Sequence, residues 1–186
     1  MSSKSVSDIT PEVILLGADG YLGRHLAHVM KQEGCPFLSV GRRDGSIDGH
    51  VPYVSAQLTD LRSLVPALQT ARVIYLFAGR TGTLDGFDQP DEFLDSNERG
   101  LLHLLNLIRA TGNTPRLVFP STRLVYHGDS TRALPEDAPK ECKTIYAANK
   151  LAGESYLRMY RDLYGLPYTV FRICVPFGNS VSSVGS

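Results

Sequence analysis

Residues 13–23 read Val13-Ile-Leu-Leu-Gly17-Ala-Asp-Gly20-Tyr-Leu-Gly23, a short apolar run followed by three regularly spaced glycines. The apolar run predicts a buried strand of a parallel sheet, and Tyr21–Gln32 repeats apolar residues at helical spacing. Glycines between a strand and a helix let the backbone turn sharply and approach a pyrophosphate, while the helix N-terminus supplies N–H groups and a positive dipole end. The stretch therefore predicts a phosphate-binding loop, with a plain tight turn as the alternative.

The rest of the chain repeats this alternation of strand and helix. Further strands are predicted at 37–40, 50–54, 72–77, 116–119 and 168–173, and further helices at 61–68, 91–110 and 144–164. Pro120 is expected to end the strand 116–119, because proline has no N–H to donate to a neighbouring strand. Nearly continuous apolar strands joined by helices indicate an α/β fold: a doubly wound, Rossmann-like parallel sheet with helices on both faces.

Composition excludes several classes of protein. The 186 residues include 19 Lys and Arg and 19 Asp and Glu, so the formal net charge is zero. General nucleic-acid binding relies on an excess of Lys and Arg, so no nucleic-acid partner is expected. No apolar run approaches the roughly 20 residues of a membrane span, and no secretion signal is visible. We therefore expect a cytoplasmic chain without a membrane partner, and, since no metal-ligand spacing occurs, without a metal.

The end of the second predicted strand bears on the choice of dinucleotide. Sites that prefer NAD usually place Asp or Glu there to hold the ribose 2′-hydroxyl. Here no carboxylate precedes Asp44, and the strand is followed by Arg42 and Arg43. Guanidinium groups bind a phosphate dianion through paired hydrogen bonds, so these arginines favour NADP, with NAD as the alternative cofactor. Two solvated loop arginines without a ligand are the other interpretation.

The helix 144–164 carries a pair of residues suited to proton transfer. Tyr146 and Lys150 are four residues apart and therefore share one helix face. A phenol with a pKa of about 10 is a poor base at neutral pH, and a neighbouring ammonium group lowers that pKa. Ser121 and Thr122 follow the strand 116–119, at the sheet edge where ligands bind in open α/β sheets. A hydroxyl group there could bond the reacting oxygen of a substrate.

Together these motifs make the chain resemble the extended short-chain dehydrogenase/reductase family, in its NAD-dependent epimerase/dehydratase (nucleotide-sugar epimerase) group. The resemblance covers almost all of residues 12–178, with the matching segments in the family's order. They are Gly17-Ala-Asp-Gly-Tyr-Leu-Gly23, Asp60-Leu61, Tyr75-Leu-Phe-Ala-Gly79, Asn97-Glu-Arg-Gly-Leu-Leu-His-Leu-Leu105, Ser121-Thr-Arg-Leu-Val-Tyr-His-Gly128, Tyr146-Ala-Ala-Asn-Lys-Leu-Ala-Gly-Glu154 and Arg172-Ile-Cys-Val-Pro-Phe-Gly178.

The resemblance implies three catalytic residues. Thr122 would align the reacting hydroxyl, Tyr146 would act as acid and base, and Lys150 would hold the nicotinamide ribose and tune Tyr146. Asn97 would order backbone or water near Lys150. The full set of expected cofactor-binding residues is Gly17, Gly20, Tyr21, Leu22, Gly23, Arg42, Arg43, Asp60, Leu61, Phe77, Ala78, Gly79, Asn97, Ser121, Tyr146, Lys150 and Val175.

Particular places in the cofactor site are also implied by the resemblance. The glycine loop would hold the pyrophosphate, and Asp60 and Leu61 would lie by the adenine. Ala78 and Gly79 would pass under the ribose and nicotinamide, and Val175 would lie near the carboxamide.

Two departures from the family pattern narrow the expected activity. The family's dehydratases carry Asp and Glu directly after the catalytic Thr, where this chain has Arg123 and Leu124. Neither residue can move the protons of a dehydration. We expect a nucleotide-sugar epimerase, with an NADPH-dependent 4-ketoreductase or a non-catalytic dinucleotide-binding module as alternatives.

The expected domain organisation follows from the second departure, the length of the chain. Residues 1–10 are expected to form a disordered leader, 11–178 the NAD(P)-binding domain, and 179–186 a flexible end that precedes the family's substrate-binding domain. That C-terminal substrate domain is expected to be absent from these 186 residues.

The two long predicted helices also suggest an assembly. Helices 91–110 and 144–164 carry apolar residues around more than one stripe, more than packing on a single sheet needs. Relatives pair these helices into a four-helix bundle, so a homodimer is expected. Coverage by another part of the protein is the alternative.

Overall fold

The computed structural model describes residues 12–46, 48–49, 52–128 and 133–178. The expected leader 1–10, the expected end 179–186 and the first two residues of the strand predicted at 50–54 lie outside these ranges. Within them, no helix combines the length and apolar character that crossing a bilayer would require.

Six parallel strands form one sheet in the order β3-β2-β1-β4-β5-β6. This is the doubly wound order of Rossmann-like folds, in which the chain reverses direction across the sheet between β1 and β4. The expected fold class is therefore confirmed. The strands are β1 (Val13–Leu16), β2 (Leu38–Gly41), β3 (Tyr53–Ser55), β4 (Val73–Leu76), β5 (Arg116–Thr122) and β6 (Tyr168–Ile173).

The strand β5 extends past the proline that was expected to end it. Pro120 lies inside β5 and is in register with Phe171 of β6. The pairing of β5 with β4 ends at Val118, so the last part of β5 has a strand on one side only. A residue without an N–H is tolerated where one side of a strand is unpaired, and for this reason the expected end at residue 119 is wrong.

Two of the connecting helices, 21–32 and 145–164, lie within one residue of their predicted bounds, whereas the helix at 85–88 was not predicted. The helices are α1 (Tyr21–Gln32), α2 (Val65–Thr70) after a 3₁₀ turn at Arg62–Leu64, α3 (Asp85–Asp88), α4 (Pro90–Leu94), α5 (Gly100–Thr111) and α6 (Ile145–Tyr164). The Oγ1 atom of Thr144 caps α6 by accepting a hydrogen bond from the Ala147 N–H. Gly112 and Gly165 end α5 and α6 in the left-handed conformation that glycine adopts without strain.

The helix predicted at 91–110 is not continuous. A π-helical turn, Asp95–Arg99, separates α4 from α5. One extra residue in a helical turn rotates the side chains that precede it relative to those that follow, and such turns recur at functional sites. The buried amide of Asn97 lies in this turn.

The sheet buries side chains on both faces, as the alternation of a strand requires. Ile14 and Leu16 of β1 belong to the larger core, which includes residues of α2, α5 and α6. Leu15, between them in sequence, packs on the other face with Ala27 of α1. Because both faces are covered, the carboxyl edge of the strands is the place left open for a ligand.

Candidate dinucleotide site and catalytic residues

The loop between β1 and α1 has room only for glycine at two of its three glycine positions. Gly17 has a φ of 87°, and a Cβ there would lie 2.4 Å from the Ala78 backbone nitrogen. A Cβ at Gly23 would lie 2.0 Å from the Gly17 carbonyl oxygen. The first glycine thus lets the loop cross the end of β4, and the third lets α1 pack against the loop.

The N-terminus of α1 opens directly onto this loop. Gly20 precedes the helix and supplies no side-chain cap. The first N–H groups of a helix, here those of Tyr21, Leu22 and Gly23, have no intrahelical acceptor, and the dipole adds positive potential. The arrangement is suited to a phosphate group.

Replacing Gly17 by Ala should abolish dinucleotide binding and lower stability by several kcal/mol, because the new Cβ would overlap the backbone of β4. Gly34→Ala is the matched control: its φ is also positive, at 66°, but nothing lies within 4 Å of the added Cβ. The control should lose only about 1–2 kcal/mol, the cost of a left-handed alanine. Thermal unfolding and titration with NAD measure both effects, and equal losses in the two variants would contradict the steric argument.

A cavity of about 640 Å³ lies beside this loop, at the carboxyl ends of β1, β2 and β4. Its volume falls within the range of small-molecule and cofactor sites, so the space fits a dinucleotide. Expected cofactor-binding residues that line it are Gly17, Gly20, Arg42, Arg43, Leu61, Phe77, Ala78 and Gly79; it is also lined by Leu16, Asp19, Val40, Gly41, Ala56, Gln57, Leu58, Thr59, Arg80, Glu92, Asp95 and Ser96.

Asp60 differs from its neighbour Leu61. Leu61 is fully buried and lines the cavity. The Asp60 carboxylate is exposed and accepts two hydrogen bonds from Arg62, at 2.9 and 3.1 Å. Those bonds hold the pKa of Asp60 below its usual value. Of the two residues expected near the adenine, Leu61 is therefore the one that lines the cavity.

The end of β2 does have a carboxylate beside it, contrary to the expectation from the linear sequence. The carboxylate belongs to Asp19 of the glycine loop and accepts a 2.7 Å hydrogen bond from the Tyr53 hydroxyl on β3. Arg42 and Arg43 line the same part of the cavity and are exposed. Asp19 cannot be identified from the second strand, because it belongs to the glycine loop and reaches the end of β2 only in the folded protein.

Asn97 binds the chain that leaves β4. Its Oδ1 atom accepts from the Arg80 N–H at 2.9 Å, and its Nδ2 atom donates to the Arg80 carbonyl at 3.1 Å. A Cβ on Gly79 would lie 2.7 Å from Asn97 Oδ1. Asn97 therefore orders the backbone that leaves β4, and its expected place near Lys150 stays a prediction.

The hydroxyl residues at the end of β5 are both buried. The Oγ1 atom of Thr122 accepts a 3.2 Å hydrogen bond from the Leu124 N–H. The Ser121 hydroxyl donates to Glu154 Oε1 at 2.5 Å, which turns it towards α6. The Thr122 hydroxyl thus contacts the turn that directly follows β5, whereas the Ser121 hydroxyl contacts α6.

Burial dominates the electrostatics of Tyr146 and Lys150 on α6. Lys150 is 6% exposed, and its Nζ atom lies 4.6 Å from the centre of the Phe119 ring and 5.7 Å from that of Tyr146. Burial lowers the pKa of Lys150 to about 8 and raises the pKa of Tyr146. The expected lowering of the Tyr146 pKa by the ammonium group is therefore wrong for this structure, since loss of hydration outweighs attraction at this distance.

One ion pair joins α6 to the last strand. Arg172 of β6 donates from Nε and Nη2 to the two carboxylate oxygens of Glu154, at 3.0 and 2.7 Å, and from Nη1 to the Tyr126 hydroxyl at 2.5 Å. Burial alone would raise the pKa of Glu154, but hydrogen bonds from Arg172 and Ser121 lower it. Glu154 was not among the predicted site residues, although it lies four residues after Lys150 and so shares its helix face.

Replacing Glu154 by Gln should lower the free energy of unfolding by roughly 2–4 kcal/mol, because the partly buried Arg172 guanidinium loses its paired carboxylate. The control is Asp95→Asn, which breaks the exposed pair with Arg99 and should leave the unfolding midpoint nearly unchanged. Chemical denaturation at neutral pH measures both. A loss no larger than the control's would mean that the pair contributes little.

Val175 does not line the cavity. It follows β6, is 71% exposed, and is absent from the described residues that line the cavity. Its expected place near the carboxamide therefore stays a prediction.

The chain is similar in sequence to a known protein family and to several of its curated members. The model of the NAD dependent epimerase/dehydratase family matches residues 13–184. UDP-glucose 4-epimerase of Azospirillum brasilense is 30% identical over 170 residues, which cover 88% of this chain and 48% of that protein. UDP-glucuronate 4-epimerase 1 of Arabidopsis thaliana is 27% identical over 183 residues, covering 89% and 42%. The chain thus spans about half the length of the curated relatives it matches.

Solved structures agree with the sequence comparison. UDP-glucose 4-epimerase of Thermus thermophilus, solved in complex with NAD, superposes with a TM-score of 0.78 at 25% identity and covers 86% of this chain and 54% of that one. A GalE-like L-threonine dehydrogenase from Cupriavidus necator, in its holo form, gives a TM-score of 0.76 at 25% identity, covering 87% and 54%. With the family model matching nearly the whole length, the chain belongs to the NAD-dependent epimerase/dehydratase family.

Proposed function

We propose that the protein acts as an NAD-dependent nucleotide-sugar 4-epimerase. The observation that carries the proposal is the placement of Thr122, Tyr146 and Lys150 at the end of β5 and on α6, next along the sheet from the cavity. The 4-epimerases of UDP-glucose and UDP-glucuronate among the relatives support a UDP-sugar substrate.

The proposed roles of the residues follow from their chemistry. The Tyr146 hydroxyl accepts the proton of the sugar hydroxyl during oxidation and returns it during reduction. The Thr122 hydroxyl aligns that oxygen. The Lys150 ammonium binds ribose hydroxyls and opposes the rise in the Tyr146 pKa that burial causes. The chemistry that a bound dinucleotide would supply is reversible hydride transfer with the reacting carbon of the sugar. Arg123 and Leu124 stand where a dehydratase needs acidic residues, so dehydration is not proposed.

For the cofactor, we propose NAD in place of the NADP that the sequence favoured. NAD is named with the Thermus thermophilus relative. In this chain a carboxylate lies at the end of β2, where it would repel a 2′-phosphate. NADP stays the alternative cofactor, because the guanidinium groups of Arg42 and Arg43 would attract a 2′-phosphate.

The direct test is to mix the protein with NAD and UDP-glucose or UDP-glucuronate and to separate the 4-epimers by chromatography. An epimerase forms the 4-epimer without net accumulation of reduced cofactor. A 4-ketoreductase consumes one reduced cofactor for each product formed. Binding of NAD without either reaction would favour the alternative of a binding module, and absence of NAD binding would contradict the proposal altogether.

Two parts of the proposal extend beyond the site. Residues 11–178 are proposed as the dinucleotide-binding domain, with sugar-specific contacts outside it. A homodimer through α5 and α6 is proposed as well, since α6 exposes Met159, Leu163 and Tyr164. Light scattering over a range of concentrations tests it: a mass of 20.4 kDa at every concentration would exclude the dimer.

A further inference from the structure

The glycine loop lies directly against the end of β2. The N–H groups of Gly17 and Ala18 both donate to the Val40 carbonyl oxygen, at 2.8 and 3.0 Å. These two bonds fix the position of the next residue, Asp19, relative to the strand. The Asp19 side chain consequently lies over Gly41, the last residue of β2.

The Asp19 carboxylate fills the space that a side chain at position 41 would occupy. A Cβ built on Gly41 would lie 2.0 Å from Asp19 Oδ2 and 2.5 Å from the Tyr53 hydroxyl oxygen. Dinucleotide-binding sheets usually place an acid at the end of the second strand, where it bonds the adenosine ribose 2′-hydroxyl. This chain has glycine on the strand and delivers a carboxylate to the same space from the loop.

Tyr53 orients that carboxylate. Its hydroxyl donates to Asp19 Oδ2 at 2.7 Å and also contacts the Arg43 carbonyl at 3.2 Å. Burial, followed by the bond to Asp19, raises the pKa of Tyr53 to about 12, so the phenol remains a donor at neutral pH. A carboxylate has about four acceptor positions, so the bond from Tyr53 does not prevent the carboxylate from binding a ribose hydroxyl.

We propose that Asp19 binds the adenosine ribose hydroxyls and makes the site prefer NAD to NADP, in place of an acid on β2. The inference rests on the proposed function, because it requires that the cavity take a nicotinamide dinucleotide. Asp19 and Gly41 both line that cavity. A 2′-phosphate placed there would set a dianion beside a carboxylate, a repulsion that the exposed Arg42 and Arg43 offset only in part.

The experiment is a titration of NAD and of NADP into the wild type and into Asp19→Asn. The wild type should bind NAD at least tenfold more tightly than NADP. Loss of a hydrogen bond to a charged group corresponds to about 10–100-fold in affinity, so Asp19→Asn should bind NAD that much more weakly. The variant should bind NADP no more weakly than the wild type does, because the repulsion is gone. Asp44→Asn, which changes an exposed acid three residues after the end of β2, is the control and should leave both affinities unchanged.

A second pair of variants keeps the test decisive if Asp19→Asn does not fold. Asp19→Gly should lose the preference for NAD. Adding Gly41→Asp together with Tyr53→Phe should restore the preference, since the acid then returns to the strand without meeting the Asp19 carboxylate or the Tyr53 hydroxyl. A wild type that prefers NADP would overturn the inference and the proposed cofactor, but not the proposed 4-epimerisation. An Asp19 variant with an unchanged ratio of NAD to NADP affinity would overturn the inference while leaving the proposed function intact. A wild type that binds neither cofactor would overturn both.

Discussion

Replacement of Tyr146 by Phe should reduce the rate of the proposed 4-epimerisation of a UDP-sugar by about 10²–10⁴-fold, the usual contribution of a general acid or base. The substitution removes only the hydroxyl that accepts and returns the proton. Binding of NAD should change by less than a few-fold, because the glycine loop and the cavity are formed by other residues. Steady-state epimer formation and NAD titration, made on the same preparation, measure the two effects.

A matched control for this variant lies on the same helix. Tyr164→Phe removes a phenol from the last turn of α6, far along the helix from Tyr146, and should leave the rate unchanged. A Tyr146→Phe protein with a rate close to the wild type would mean that the phenol does not transfer the proton. Loss of NAD binding together with the rate would instead indicate a structural role for the hydroxyl.

The fold could be predicted from local sequence patterns because those patterns are strong here. The strand Val13–Leu16 and the helix Tyr21–Gln32 have the bounds that the apolar runs and glycines indicate. The error at Pro120 has a different origin: whether a proline is tolerated depends on where the neighbouring strand stops, and that is a property of the assembled sheet. The π-helical turn before α5 likewise leaves no signal in an apolar periodicity.

The site was predicted less completely, because several of its contacts join residues distant in sequence. Asp19 reaches the end of β2 across 22 positions and Tyr53 meets it across 34, so neither could be identified by examining the second strand alone. The pKa of Tyr146 shows a second limit. Helical spacing brings an ammonium group to the same face, but the direction of the shift is decided by the burial of Tyr146, which depends on how α6 packs in the folded protein.

Replacement of Lys150 by Met should raise the free energy of unfolding at pH 7 by about 1–3 kcal/mol in the absence of cofactor. Burial lowers the pKa of this lysine from 10.5 to about 8, and a shift of that size corresponds to about 3 kcal/mol of unfavourable charge burial. The contact of the ammonium with the Phe119 ring, about 0.5–2 kcal/mol in general, is lost in the variant and reduces the gain. Epimerase activity should fall, since the ammonium group is part of the proposed catalytic set.

The stability difference between Lys150→Met and the wild type should depend on pH in one direction. Below about pH 8 the lysine is charged in both the folded and the unfolded wild type, so the penalty is constant. Between about pH 8 and 10.5 the unfolded chain binds more protons than the folded one, so the wild type gains stability relative to the variant as pH rises. Denaturation at pH 7, 8, 9 and 10 should therefore show a shrinking difference, with Lys31→Met, exposed on α1, as the control for adding a methionine. A difference that is absent at pH 7, or that grows with pH, would mean that the ammonium group is well stabilised in the folded protein before any cofactor binds.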